Sequence, residues 1–150
     1  MFYIITIITQ KSLRMEEYFY KQNVEAQEYL TQDFVYNQHI VNVPRPHKYR
    51  PMTKILKMVK IPNMSVADYW GENFNKIPTN IIEEIRTCIE ILYNNYIEYP
   101  DITGYNFIYH DGKIWIIDFE HAKYNIHRKT YDPFILSFIN GHNGWNPDYN

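Results

Sequence analysis

Three oxygen-bearing side chains late in the chain have types and spacing that could do chemistry. Asp101 and Asn106 flank the tetrapeptide Ile-Thr-Gly-Tyr, and Asp118 follows after two short apolar runs, Phe107 to Tyr109 and Ile114 to Ile117. Between the runs lies His110-Asp111-Gly112-Lys113, and Asp-Gly flanked by apolar residues is a strong signal for a β-hairpin. A hairpin returns Asp118 to the loop that holds Asp101 and Asn106. Two carboxylates and an amide oxygen around one point suit phosphoryl transfer. One carboxylate orients and deprotonates the attacking hydroxyl, while the other, with the amide oxygen, holds Mg2+ on the phosphates. Asp101 is then the base, and Asn106 and Asp118 are the metal ligands. Taken singly, each is equally a turn or strand-end residue; only the three together point to this chemistry.

Those side chains need elements to position them. The clearest is a helix over Ile81 to Tyr96, with Ile81, Ile82, Ile85, Ile89, Leu92 and Tyr96 on one face and Asn80 with Glu83 as a capping pair. It delivers the chain to Tyr99-Pro100-Asp101. Upstream, the β-branched run Tyr3 to Thr9 predicts a strand, and residues 13–31 predict a surface helix. The proline-rich stretch 34–53 predicts extended chain and turns with a short strand at His39 to Val43, and Lys54 to Ile61 predicts a further strand. Ser65 can cap a short helix, Val66 to Trp70. The Asn- and Gly-rich tail, Gly141 to Asn150, is expected to close on the body through Trp145.

A chain of 150 residues suits one compact domain. Its 45% hydrophobic and 17% aromatic content argues against disorder except at the ends. A net charge of −2 gives no basic footprint, so nucleic acid is not the expected partner. The lone cysteine, Cys88, excludes an intramolecular disulfide and a Cys-based zinc cluster, and it fits a reducing compartment. The opening MFYIITIIT has no charged leader or cleavage site and is too short to span a bilayer, so a cytoplasmic protein without a membrane segment is expected. His110, His121, His127 and His142 match no zinc template and read as exposed loop residues. Heavy use of Ile, Asn, Tyr and Lys is similar to A+T-rich coding sequence, as in some large DNA viruses.

Asp101-Ile-Thr-Gly-Tyr-Asn106 resembles the D-L-x-x-x-N core of the protein-kinase catalytic loop, and Ile117-Asp118-Phe119 resembles the start of the D-F-G metal-binding motif. Ile117 to Ala122, I-D-F-E-H-A, is closer to the I-D-F-E-Y-A of choline, ethanolamine and aminoglycoside kinases. The chain is identified as a member of the protein-kinase-like superfamily. The resemblance implies an α+β, truncated protein-kinase-like fold. A reduced amino-terminal lobe over 1–61 would carry a sheet and one helix, and a minimal, mostly helical carboxy-terminal lobe would span 62–150. It implies ATP and Mg2+ as ligands. It further implies Glu25, in Val24-Glu25-Ala26-Gln27, as the helix carboxylate that pairs with a phosphate-binding lysine, Lys11 as that lysine, and Met58, Val59 and Ile61 as the strand beside the adenine. Tyr131-Asp132-Pro133 resembles the start of a later helix of that fold.

The departures from the pattern divide the functional expectation. All five glycines lie at 71, 104, 112, 141 and 144, so no glycine-rich phosphate loop precedes the Glu25 segment. Tyr99 and Pro100 stand where kinases carry His and Arg, which leaves no arginine there to receive an activation-loop phosphate. One expectation is phosphate transfer from Mg-ATP to a protein or small-molecule hydroxyl. The other is a pseudokinase acting as a binding or regulatory module. A reduced sheet leaves an apolar edge, so a homo-oligomer or a protein partner is expected.

Overall fold

The computed structural model describes residues 16–128 and 130–149, so Lys11 and the strand expected at Tyr3 to Thr9 lie outside the described residues. Tyr18-Phe19-Tyr20-Lys21 forms strand β1 (Tyr18–Lys21), and helix α1 (Ala26–Asn37) follows it. The single helix expected across 13–31 is thereby corrected. Three consecutive aromatic residues fit a pleated surface better than a helix, and Asn23, at φ 58°, breaks the chain between the two elements. β1 pairs antiparallel with β3 (Ile55–Val59), which pairs on its other side with β2 (Pro46–Arg50), giving the order β1-β3-β2.

The strand expected at His39 to Val43 reduces to one bridge, Asn42 with Trp115, while the proline-rich stretch supplies β2 instead. Pro46 is tolerated there because it opens an edge strand, where a missing N–H breaks no interior ladder. Beneath the sheet, α1 helps close a small core of Val24, Leu56 and Met58. Tyr29 and Tyr49 stack over that core with ring centroids 4.7 Å apart, and the Tyr49 hydroxyl donates to the Val24 carbonyl at 2.7 Å.

The second, larger core is organised by α3 (Thr79–Asn94), which buries Ile81, Ile82, Ile85, Ile89 and Leu92 as the periodicity predicts. The Asn80–Glu83 cap does not form. The helix starts at Thr79 behind Pro78, so Asn80 is already inside the first turn. Before it comes α2 (Val66–Trp70), capped by Ser65, whose hydroxyl accepts from the Asp68 N–H at 3.1 Å.

The hairpin of β5 (Phe107–His110) and β6 (Lys113–Ile116) turns on Asp111 and Gly112 at φ 55° and 71°, the paired positive φ values that an Asp-Gly turn requires. β4 (Ile97–Glu98) pairs with β7 (Lys123–Tyr124), which draws the segment after Asp118 back alongside Pro100 and Asp101. α4 (Pro133–Ile139) is capped by Asp132, whose side chain accepts from the Phe134 N–H. Trp145 closes the tail onto the core, stacked on Phe107 and edge-on to Phe74. Among the described residues no helix is long and apolar enough to cross a membrane.

Candidate active site

The sheet half and the helical half meet at Lys21. Placed at the end of β1, its ammonium donates to Glu28 Oε2 on α1 at 2.5 Å and to Asp118 Oδ1, just past β6, at 2.8 Å. Gln27, also on α1, donates to the Ala122 carbonyl at 3.1 Å, so the helix is fastened to the segment that carries Asp118. Burial pulls the Lys21 pKa down, but its hydrogen bonds to Asp118 and Glu28 outweigh that and hold it above its ordinary value. Burial of Glu28, only 3% exposed, pushes its carboxyl up, and one ammonium shared between two carboxylates offsets this only in part.

Asp118 is fixed from three sides. Its Oδ1 also accepts the Glu120 N–H at 2.9 Å, and its carbonyl accepts the Tyr99 hydroxyl at 2.5 Å. The preceding Ile117 N–H donates to the Asn106 carbonyl at 3.0 Å, which sets the two predicted metal ligands on adjoining strands of backbone. Asn106 Nδ2 in turn donates to the Asp101 carbonyl at 2.8 Å. Tyr99 is fully buried, and burial raises its phenol well above its ordinary pKa, so it remains a donor. Tyr99 thus ties the loop that carries Asp101 and Asn106 to Asp118.

Asp101 is 5% exposed, and its Oδ2 lies 2.6 Å from His121 Nδ1. Burial raises the Asp101 carboxyl above the usual carboxylate range, with His121 only partly opposing it. Its Oδ1 is buried with no hydrogen-bond partner among the described residues.

Two clefts flank this group. An apolar one of about 290 Å³ is lined by Phe19, Met58, Val59, Ile61, Ile108 and Ile117, and so includes the three residues expected beside an adenine. A polar one of about 880 Å³ opens on the other side, past His121, Lys123, Arg128, Tyr131 and Tyr149. The apolar slot is the smaller of the two.

The donor set fits a hard cation completed by phosphate. Among the described residues, both hydrogen bonds to the Asp118 carboxylate fall on Oδ1, leaving Oδ2, and the Asn106 amide nitrogen is committed, leaving its oxygen. No three His, Cys, Asp or Glu side chains converge among the described residues, so protein alone does not form a cage; Mg2+ characteristically fills its sphere with phosphate oxygens and water.

The family model of the RIO domain matches residues 13–134. The chain belongs to the RIO domain family. Among solved structures, this RIO domain resembles the Cydia pomonella granulovirus kinase PK-1 with a TM-score of 0.58 at 16% identity, covering 79% of this chain and 48% of that one. The chain therefore spans about half the length of that kinase, and at this identity the likeness is one of fold. Comparison with curated proteins finds no match.

Within the RIO domain, Asp101, Asn106 and Asp118 come together as their spacing suggests. Glu25 does not join them. It lies at the start of α1, on the surface, paired with Lys54 at 2.7 Å. Among the described residues, the lysine and glutamate that pair beside Asp118 are Lys21 and Glu28, which the sequence reading did not single out. The available signal was the lysine that closes the aromatic run at 18–21, followed by a glutamate one helical turn after Glu25. His121, read as a loop residue, is the third.

Proposed function

We propose that this RIO domain transfers phosphate from Mg-ATP to a hydroxyl group on a protein or small molecule. The observation that carries the reading is the Lys21 ammonium bridging Glu28 and Asp118, which sets a cation on the Asp118 carboxylate, one residue past Ile117 of the apolar cleft. Lys21 would meet the phosphates, as the lysine of a lysine–glutamate pair does in protein kinases. Met58, Val59, Ile61 and Ile117 would sandwich the purine, and Asp118 Oδ2 with the Asn106 amide oxygen would hold Mg2+. The metal, when bound, neutralises charge on the phosphates. Asp101, with His121 Nδ1 2.6 Å from its Oδ2, stands on the acceptor side. Cys88, whose thiol burial pushes up to about 11, is inert, and an unreactive lone thiol suits a reducing cytoplasm.

The test is Mg2+-dependent release of phosphate from ATP by the full chain. Release that falls by on the order of 10²-fold or more in Asp118→Asn supports the reading; release unchanged by that substitution contradicts it. A second reading, a pseudokinase that binds nucleotide without turnover, is favoured by one observation: no glycine precedes Gly71, so this sequence carries no glycine-rich loop to cover the phosphates. ATP binding without phosphate release from the wild-type chain would decide for it.

A further inference from the structure

We propose that the proton of the accepting hydroxyl is taken by Nε2 of His121, held in place by Asp101, so that the base of this site is an Asp–His pair rather than a bare carboxylate. The inference rests on the phosphate-transfer reading and names the group that carries out its proton step. In the structure Oδ2 of Asp101 is occupied by the His121 ring at 2.6 Å, and Oδ1 is buried with no hydrogen-bond partner among the described residues. The His121 side chain, by contrast, is 49% exposed and lines the larger cleft. Donation from Nδ1–H to the carboxylate leaves Nε2 of the neutral ring as the nitrogen with a free lone pair, the arrangement by which a buried aspartate sets the tautomer of a catalytic histidine.

The ring is also held from its other side. Tyr149 packs on it with centroids 5.3 Å apart, and the Tyr149 segment is anchored to the catalytic loop by Asn146, whose N–H donates to the Ile102 carbonyl at 2.8 Å and whose Nδ2 donates to the Pro100 carbonyl at 3.0 Å. A turn closed by the Ala122 N–H on the Phe119 carbonyl brings His121 back over Asp101. In the step itself the acceptor O–H bond breaks toward Nε2 and the acceptor oxygen bonds to the γ-phosphorus. The bond from that phosphorus to the bridging oxygen breaks, and ADP leaves with the electron pair. Asp101, as carboxylate, stabilises the imidazolium that results; it is a positioning residue.

Among the described residues the charged groups facing His121 are Asp101, Asp118 and Glu120, and Glu98, Lys123, Arg128, Asp132 and Asp148 line the same cleft. The Asp101 hydrogen bond raises the His121 pKa above its ordinary value, and burial opposes this. A base must be unprotonated, so turnover should climb with pH through that raised value. With Asp101→Asn the limb should move to lower pH.

The experiment measures phosphate release from Mg-ATP, with water as acceptor, as a function of pH for the full chain and for His121→Gln, whose amide can still donate to Asp101. The expected result is a loss of about 10²-fold in kcat, an unchanged KM for ATP, an unchanged thermal midpoint, and disappearance of the ascending limb. Wild-type kcat in His121→Gln overturns the inference and leaves the proposed function standing. A higher kcat in His121→Ala overturns it too, because the ring would then merely cover Asp101. A wild-type chain that binds Mg-ATP but releases no phosphate overturns the proposed function and the inference together.

Discussion

Replacing Lys21 with methionine is expected to lower stability by about 2–3 kcal/mol at neutral pH and to abolish stabilisation by nucleotide; adding Glu28→Gln is expected to restore most of the first loss and none of the second. Breaking a buried ion pair costs roughly 3–5 kcal/mol because it strands a charge. The lower figure applies here because Lys21 and Asp118 side chains are 24% and 29% exposed, so water screens part of the interaction. Glu28, at 3%, is the group stranded.

The pH dependence follows from the direction of the Glu28 shift. Its folded pKa already lies above the ordinary value, chiefly through burial, with Lys21 pulling the other way. A group raised on folding stabilises below its unfolded pKa and loses that contribution as pH rises through the folded pKa. Removing Lys21 raises Glu28 further. The penalty of the substitution should therefore be full at neutral pH and vanish as pH falls below the ordinary carboxylate range. Glutamine at 28 has no charge to strand, so the double variant should lack the loss that Lys21→Met shows at neutral pH. Urea unfolding at neutral and acidic pH measures this. A Lys21→Met protein as stable as wild type at neutral pH, or equally impaired at both, would contradict the account.

The second large effect is expected at Phe119, where alanine should cost about 3–5 kcal/mol, against a total stability of roughly 5–15 kcal/mol for a domain. Phe119 is fully buried, and its ring stands edge-on to Tyr99 at 5.6 Å. Both rings sit directly under the site, since the Tyr99 hydroxyl holds the Asp118 carbonyl. A cavity there releases Tyr99 from one side, so the KM for ATP should rise as stability falls. Phe119→Leu, which keeps most of the volume, should cost less than about 1.5 kcal/mol. Equal urea midpoints for the alanine variant and wild type would show that the ring is not packed as described.

The parts of the site that were legible in the sequence are those written locally. Asp111-Gly112 announces the hairpin in a two-residue signal, the isoleucines of α3 announce the helix by their period, and together these bring Asp118 back to Asn106 without knowledge of anything else in the chain. Lys21 and Glu28 were not legible for a physical reason. Whether Tyr18 to Lys21 is strand or helix is decided by pairing with Ile55 to Val59, and whether Glu25 or Glu28 faces the site is decided by where α1 begins and which side meets Asp118. Both are tertiary decisions. His121 belongs to the same class, because its place over Asp101 depends on the Phe119–Ala122 turn and on the tail that packs against it. Tyr99 could be read as a departure from a motif, but its bond to the Asp118 carbonyl could be seen only in three dimensions.

The central claim, that Lys21, Asn106 and Asp118 form a site for Mg-nucleotide, is tested most directly by the thermal midpoint of the full chain with ATP and Mg2+, in the wild type and in Asp118→Asn. A ligand at a hundredfold excess over its dissociation constant stabilises the folded state by about 2.7 kcal/mol, which for a chain of this size raises the midpoint by roughly 5–10 °C. The account predicts that rise in the wild type, dependent on Mg2+, and its loss in Asp118→Asn. No rise in the wild type, or an equal rise in both proteins, would contradict it.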